Sequence, residues 1–213
     1  MPLGELKDVL AALESGSFAS MSDDELRDTL RRIHTGFTIQ APVLPAGTLI
    51  YRAVQVTQRP ANKSRISYPP REAVKANGRC NRASEVMFYG ALNQFLSCLQ
   101  ECSWQVGEFF AVSAWLTKEP MMFSHLGYTT AVLKAFQALR ELPGFANLQN
   151  DSDRNALIRD WQARVFTQHV SAGQENLYRL PIALKECALW NIEQPYPTGP
   201  NLLSGIIYPS IAM

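Results

Sequence analysis

The stretch Leu49-Ile50-Tyr51-Arg52-Ala53-Val54-Gln55-Val56 decides the fold. β-branched and aromatic residues crowd it, and such residues fit a pleated, half-buried surface, so it predicts a strand. Arg52 is the one charge within it. A guanidinium on an apolar strand either alternates outward into solvent or is held inside for use, because buried charge is costly unless paired or used. Its rigid donor fork suits phosphate.

Upstream, Leu3, Leu6, Val9, Leu10 and Leu13 share one face of an expected helix over about 3–15. Ser22-Asp23-Asp24-Glu25 is a capping box that opens a second helix striped with Leu26, Leu30 and Ile33. Pro42 and Pro45 then break the chain, so 1–44 reads as a helical appendage and 45–213 as the main domain.

Downstream, 57–77 reads as a long proline-bearing loop, a length that in compact domains is usually functional or disordered. Val86 to Tyr89 is expected as a short strand. Ala91 to about Cys102 is expected as a helix with Leu92, Phe95, Leu96 and Leu99 on one face. Glu108 to Leu116 predicts an apolar strand. Helices are expected over Tyr128–Leu142, Asp153 to about Val170, and Asn176–Trp190, with Pro181 in the first turn of the last. Gly205 to Ser210 predicts a closing strand. Strands, then helices, then a strand point to an α+β fold rather than a doubly wound sheet. The chain closes three residues after Ser210 and reads there as a fragment of something longer.

Composition narrows the function classes. Hydrophobic residues make up 46% and charged residues 18%, which fits a folded globular chain. With 20 basic and 19 acidic residues, the net charge of +1 argues against a dedicated nucleic-acid binder. No run of about 18 apolar residues marks a membrane span, and the N-terminus lacks a secretory pattern, so a cytoplasmic place is expected. Of Cys80, Cys98, Cys102 and Cys187, the pair Cys98 and Cys102 has i,i+4 spacing that could hold metal. No histidine lies near them in sequence, so all four read as reduced, small buried hydrophobes, and no metal is expected.

Several other residues could carry chemistry. Gly78 lets the chain turn sharply before Arg79-Cys80-Asn81, from which Arg79 could reach the same phosphates as Arg52; alone, the segment is also an ordinary turn. Glu101, nine residues after Leu92, falls opposite the apolar stripe and reads as exposed, relevant only if that side borders a cleft. Ser210 could bond a ligand through its hydroxyl, with no Gly-x-Ser-x-Gly elbow to make it a nucleophile. Tyr68 and Tyr89 could stack on a flat ring, core packing being the default for Tyr89. His125 and His169 read as structural.

Taken in order, Leu49-Ile50-Tyr51-Arg52, Gly78-Arg79-Cys80-Asn81, Phe88-Tyr89, Glu101 and Gly205-Ile206-Ile207-Tyr208-Pro209-Ser210 resemble the RES domain family, named for an arginine, a glutamate and a serine. The resemblance runs from about residue 45 to the end. It implies an ADP-ribosyltransferase-like fold with a helical insertion at about 125–192. It also implies an enzyme that consumes NAD as substrate, by hydrolysis or phosphorolysis, as the toxin of a toxin–antitoxin pair. Transfer of ADP-ribose to a protein, or a non-catalytic binding module, are the rivals. By resemblance Arg52 and Arg79 hold phosphate, Tyr89 packs on the nicotinamide side, Glu101 is the catalytic carboxylate and Ser210 orients substrate; Gly78, Asn81 and Tyr68 line the site. NAD and an antitoxin protein are the partners the resemblance implies, and the long helical stretch is open to capping the site, binding a partner or forming a homo-oligomer. Cys80 stands where the family motif often has an aromatic residue, the helical stretch is longer than in compact family toxins, and the N-terminal helices lie outside the resemblance.

Overall fold

The computed structural model describes residues 1–37, 41–102, 104–129, 152–171, 173–190 and 203–209. The expected helix over 128–142, beyond its first two residues, and Ser210 lie outside them.

Helix α1 spans Leu3–Glu14 and buries Leu6, Leu10 and Leu13. Helix α2 spans Asp23–His34. Its capping box is formed as expected: Glu25 N donates to Ser22 Oγ at 3.2 Å, and Ser22 N donates to Glu25 Oε2 at 2.7 Å. These bonds satisfy two amide donors that a helix start leaves without partners. Later in the chain come α4, Asp153–Thr167, and α5, Arg179–Trp190, with Pro181 in the first turn of α5. Leu6, Leu10, Leu26 and Leu30 pack into one core with Trp161 and Phe166 of α4 and Leu180 and Leu184 of α5. The helices outside the resemblance and those inside it therefore share a single apolar interior. Ion pairs cross the same seam, from Arg179 to Asp23 at 2.8 Å and from Arg164 to Glu14 at 2.5 Å.

The strands form two three-stranded sheets. One joins β1 (Val43–Leu44), β5 (Met121–His125) and β6 (Leu203–Ile207), with β5 antiparallel to β1 and parallel to β6. A parallel pair needs a long crossover, and α4 and α5 lie in that connection. The other sheet centres on β2 (Leu49–Val56), flanked by β3 (Ala91–Leu92) and β4 (Phe109–Leu116). Strands β2 and β4 pair in full, from Leu49↔Leu116 to Val56↔Phe109. The fold is thus mixed α+β, as its sequence predicts.

Several local expectations are corrected. Val86 to Tyr89 forms no strand; the ladder at this point is β3, paired with Ile50 and Tyr51. The following helix, α3, begins only at Phe95 and runs to Glu101. Asn93 sits at φ 54, a left-handed conformation that interrupts a helix and that asparagine tolerates better than most residues. The buried residue of α3 is Cys98, whereas Phe95 and Leu96 are exposed. Strand β5 was not expected, and β6 ends before Tyr208-Pro209, where proline lacks the amide needed to continue a ladder.

Candidate functional site

The register of β2 and β4 places Ile50, Arg52 and Val54 on one face with Trp115, Ser113 and Ala111. Arg52 Nη1 donates to the carbonyl oxygen of Tyr89 at 2.9 Å, and its Cζ lies 5.2 Å from the centre of the Phe88 ring. Arg52 Nε is buried and has no hydrogen-bond partner. Burial lowers the guanidinium pKa, opposed by Cys102 and Tyr89; an arginine so placed still carries its charge. Phe88 meets Trp115 edge-on at 5.6 Å and Tyr68 at 5.5 Å. Trp115 Nε1 donates to Ser113 Oγ, which in turn donates to the Arg52 carbonyl oxygen. The arginine therefore sits on a braced aromatic wall whose outer member, Tyr68, is 59% exposed.

Tyr89 joins this wall to the turn ahead of it. Its hydroxyl accepts from Cys80 N and donates to Asn81 Oδ1, both at 2.8 Å. Gly78 N donates to Asn81 O at 2.9 Å, closing the turn. A Cβ on Gly78 would stand 2.5 Å from Asn81 Oδ1, so this close approach requires glycine. Burial raises the Tyr89 phenol pKa, with Cys80 adding to the effect. Burial also pushes the Cys80 thiol up to about 12, against the pull of Lys185 and a Tyr208 bond. Lys185 is itself buried and bonds Glu85 Oε1 at 2.5 Å.

Arg79 turns the other way. It is buried, and it donates from Nη1 to Phe166 O and from Nη2 to Gln168 O at 3.0 Å, with its Cζ 5.6 Å from the Tyr178 ring centre. Those carbonyls end α4, where helix oxygens lack amide partners and the dipole favours a cation. The geometry makes Arg79 a cap for α4, in contrast to the phosphate contact that the resemblance implies for it.

Glu101 closes α3 and is exposed. Cys102 Sγ lies 3.8 Å from Ala53 O, which ties this helix end to β2 beside Arg52. The buried Tyr208 hydroxyl has its pKa raised by burial first, then by Cys80, Tyr89 and Glu101, with Arg79 opposing. Tyr208 packs on Phe166 at 5.2 Å, and Ser210 two residues on is outside the described residues.

Arg52, Gly78, Asn81 and Tyr89 are therefore joined in one bonded network, with Tyr68 attached through Phe88 and Glu101 at its margin. Sequence reasoning gave no role to Trp115, Ser113 or Lys185, and it read Cys102 as a buried hydrophobe, whereas Cys102 is exposed at the end of α3 and Cys187 is half-buried. The alternation Ser113-Ala114-Trp115 opposite the Arg52 strand could have flagged the first two. The Lys185–Glu85 pair, a hundred residues apart, left no local signal.

Among the described residues, cavities also lie away from this network. An open groove of about 890 Å³ runs along Gln55 to Asn62, with Arg59 and Arg65, against Gly107 to Phe109. A small cavity of about 20 Å³ is lined by His34, Ser124, His125 and Gln162 among others. Among the described residues no group of three His, Cys, Asp or Glu side chains is gathered that could hold a metal ion, and no helix is long and apolar enough to cross a membrane. Compared with known proteins, the chain matches no family model, no curated protein and no solved structure.

Proposed function

We propose that this chain is an NAD-consuming enzyme that breaks the bond between nicotinamide and ribose, in the manner its resemblance to the RES domain family implies. The observation that supports it most is the Arg52 Nε–H, a buried donor of a charged group left without a partner. Such a donor costs about 1–3 kcal/mol unless something bonds it. A diphosphate oxygen supplies both the acceptor and the counter-charge. The exposed Tyr68 ring offers a stacking face beside it.

Glu101 is assigned the catalytic carboxylate. When the glycosidic bond breaks, nicotinamide leaves with the bonding electron pair and positive charge grows on the sugar. A carboxylate beside the anomeric carbon stabilises that charge until an acceptor adds. Tyr89 packs on the nicotinamide side and is positioned by Cys80 and Asn81; Ser210 orients substrate. Arg79 acts through the backbone it caps. The acceptor is water or phosphate, and the chain acts as a cytoplasmic toxin restrained by an antitoxin protein. Transfer of ADP-ribose to a protein is the second reading, favoured by the exposure of Glu101, which leaves room for a macromolecular acceptor.

The test is release of nicotinamide from NAD by the purified chain, followed with and without phosphate and, with labelled NAD, in a lysate. Release with label left on small products supports degradation, and label on protein supports transfer. Absence of release and of NAD binding under all these conditions overturns the reading.

A further inference from the structure

Strand β4 ends the sheet β3-β2-β4, and among the described residues nothing pairs with its outer edge. It is eight residues long, Phe109-Phe110-Ala111-Val112-Ser113-Ala114-Trp115-Leu116, with no charge and no proline. Phe109, Val112 and Leu116 are 72%, 42% and 65% exposed. Folded proteins commonly guard such an edge with a charge, a proline, a bulge or extreme shortness, and an unguarded one is a template for another strand. By contrast, β1 and β3, at the edges of their sheets, have two residues each.

The sequence of β4 selects its partner. Thr117 N donates to Thr48 O, toward β2. Main-chain groups alternate sides along a strand, so Phe110, Val112, Ala114 and Leu116 present their N–H and C=O groups outward. Two copies of β4 running antiparallel pair all four of these residues in one register, Phe110 with Leu116 and Val112 with Ala114, about a two-fold axis at Ser113. That same register sets Glu108 of one copy opposite Lys118 of the other, at both ends of the ladder. Both residues are exposed. Main-chain spacing and side-chain charge thus agree on the same alignment, and its large side chains face smaller or flexible ones.

We propose that the outer edge of β4 is a homodimer interface, in which two copies of the chain join their β3-β2-β4 sheets into one six-stranded antiparallel sheet. The interface is isologous, as two-fold dimers require. It uses the outward main-chain groups of Phe110, Val112, Ala114 and Leu116, whereas Ser113 and Trp115, which brace Arg52, direct theirs toward β2.

Sedimentation velocity over a concentration series tests it. The wild-type chain sediments as a dimer that dissociates on dilution. Val112→Pro removes an outward amide where an edge strand tolerates proline, and it yields a folded monomer by far-UV circular dichroism. Lys118→Glu places like charges opposite each other and weakens the dimer about threefold to tenfold. Adding Glu108→Lys to it restores affinity. A wild-type chain that stays monomeric across the series, or a dimer unchanged in folded Val112→Pro, overturns the proposal. If Val112→Pro does not fold, the charge variants decide: no loss with Lys118→Glu and no rescue by the swap overturns it as well.

Discussion

Arg52 donates to the Tyr89 carbonyl oxygen at 2.9 Å, while the hydroxyl at the far end of the same tyrosine bridges Cys80 and Asn81. One residue, through its carbonyl oxygen and its hydroxyl, therefore links the central strand of a sheet to the Gly78–Asn81 turn. Removing the hydroxyl with Tyr89→Phe leaves the Cys80 amide and Asn81 Oδ1 short of a partner. The expected loss is about 1–3 kcal/mol of stability, read from urea unfolding. An unchanged midpoint and slope would mean that the bridge contributes nothing.

Arg79 separates a structural from a ligand role. Its guanidinium engages Phe166 O and Gln168 O in a buried setting. Arg79→Met is expected to destabilise the fold by about 2–4 kcal/mol, through two carbonyls and a helix end left unsatisfied. NAD affinity of the folded fraction is expected to hold. Full stability with lost NAD affinity would return Arg79 to the phosphates.

The sequence made the backbone of this arrangement legible where local signals are strong. β-branched and aromatic residues marked β2, a continuous apolar run marked β4, and the Ser22 to Glu25 spacing marked the start of α2. It was silent where partners come from afar. Met121–His125 is a strand only because β1 and β6 flank it, and the short apolar run reads equally well as something else. The bond of Arg79 to the end of α4 left no signal near it in sequence, because its partner lies 87 residues away. The exposed Phe95 and Leu96 defeated the helical stripe for the opposite reason: α3 is short, and its buried contact is Cys98.

His34 gives the fold a pH dependence. Its ring lies between Leu30 O at 2.7 Å and Gln162 Nε2 at 3.0 Å. Burial lowers its pKa, the Leu30 bond opposes this, and the charge of Arg154 adds to it. His125 and Cys187 face the same small cavity. A histidine with a depressed folded pKa binds its proton first in the unfolded chain, so stability falls as pH drops below about 6.5 and levels off below the folded pKa. The difference in melting temperature between pH 7.5 and 5.5 is expected to shrink in His34→Gln. An identical difference in both proteins would assign the effect to other groups.

Cysteine reactivity should follow burial. Burial raises the thiol pKa of Cys80 to about 12 and of Cys187 to about 11; burial and then Cys98 raise that of Cys102 as well, but Cys102 is exposed to reagent. Thiolate is the reactive form. Mass spectrometry after brief alkylation of the native chain at pH 7.5 is expected to find Cys102 modified ahead of Cys80 and Cys187. Labelling of Cys80 at the rate of Cys102 would contradict the buried Tyr89–Cys80 contact.

The assignment of Arg52 to binding and Glu101 to bond breaking predicts different kinetic losses. Arg52→Ala is expected to weaken NAD binding about tenfold or more, and Glu101→Gln to leave binding intact. The most direct measurement is the rate of nicotinamide release at saturating NAD by the wild-type chain and by folded Glu101→Gln. Release by the wild type, with a rate at least about a hundredfold lower in the variant, is the expected result; equal rates in the two proteins, or no release from the wild type, would contradict it.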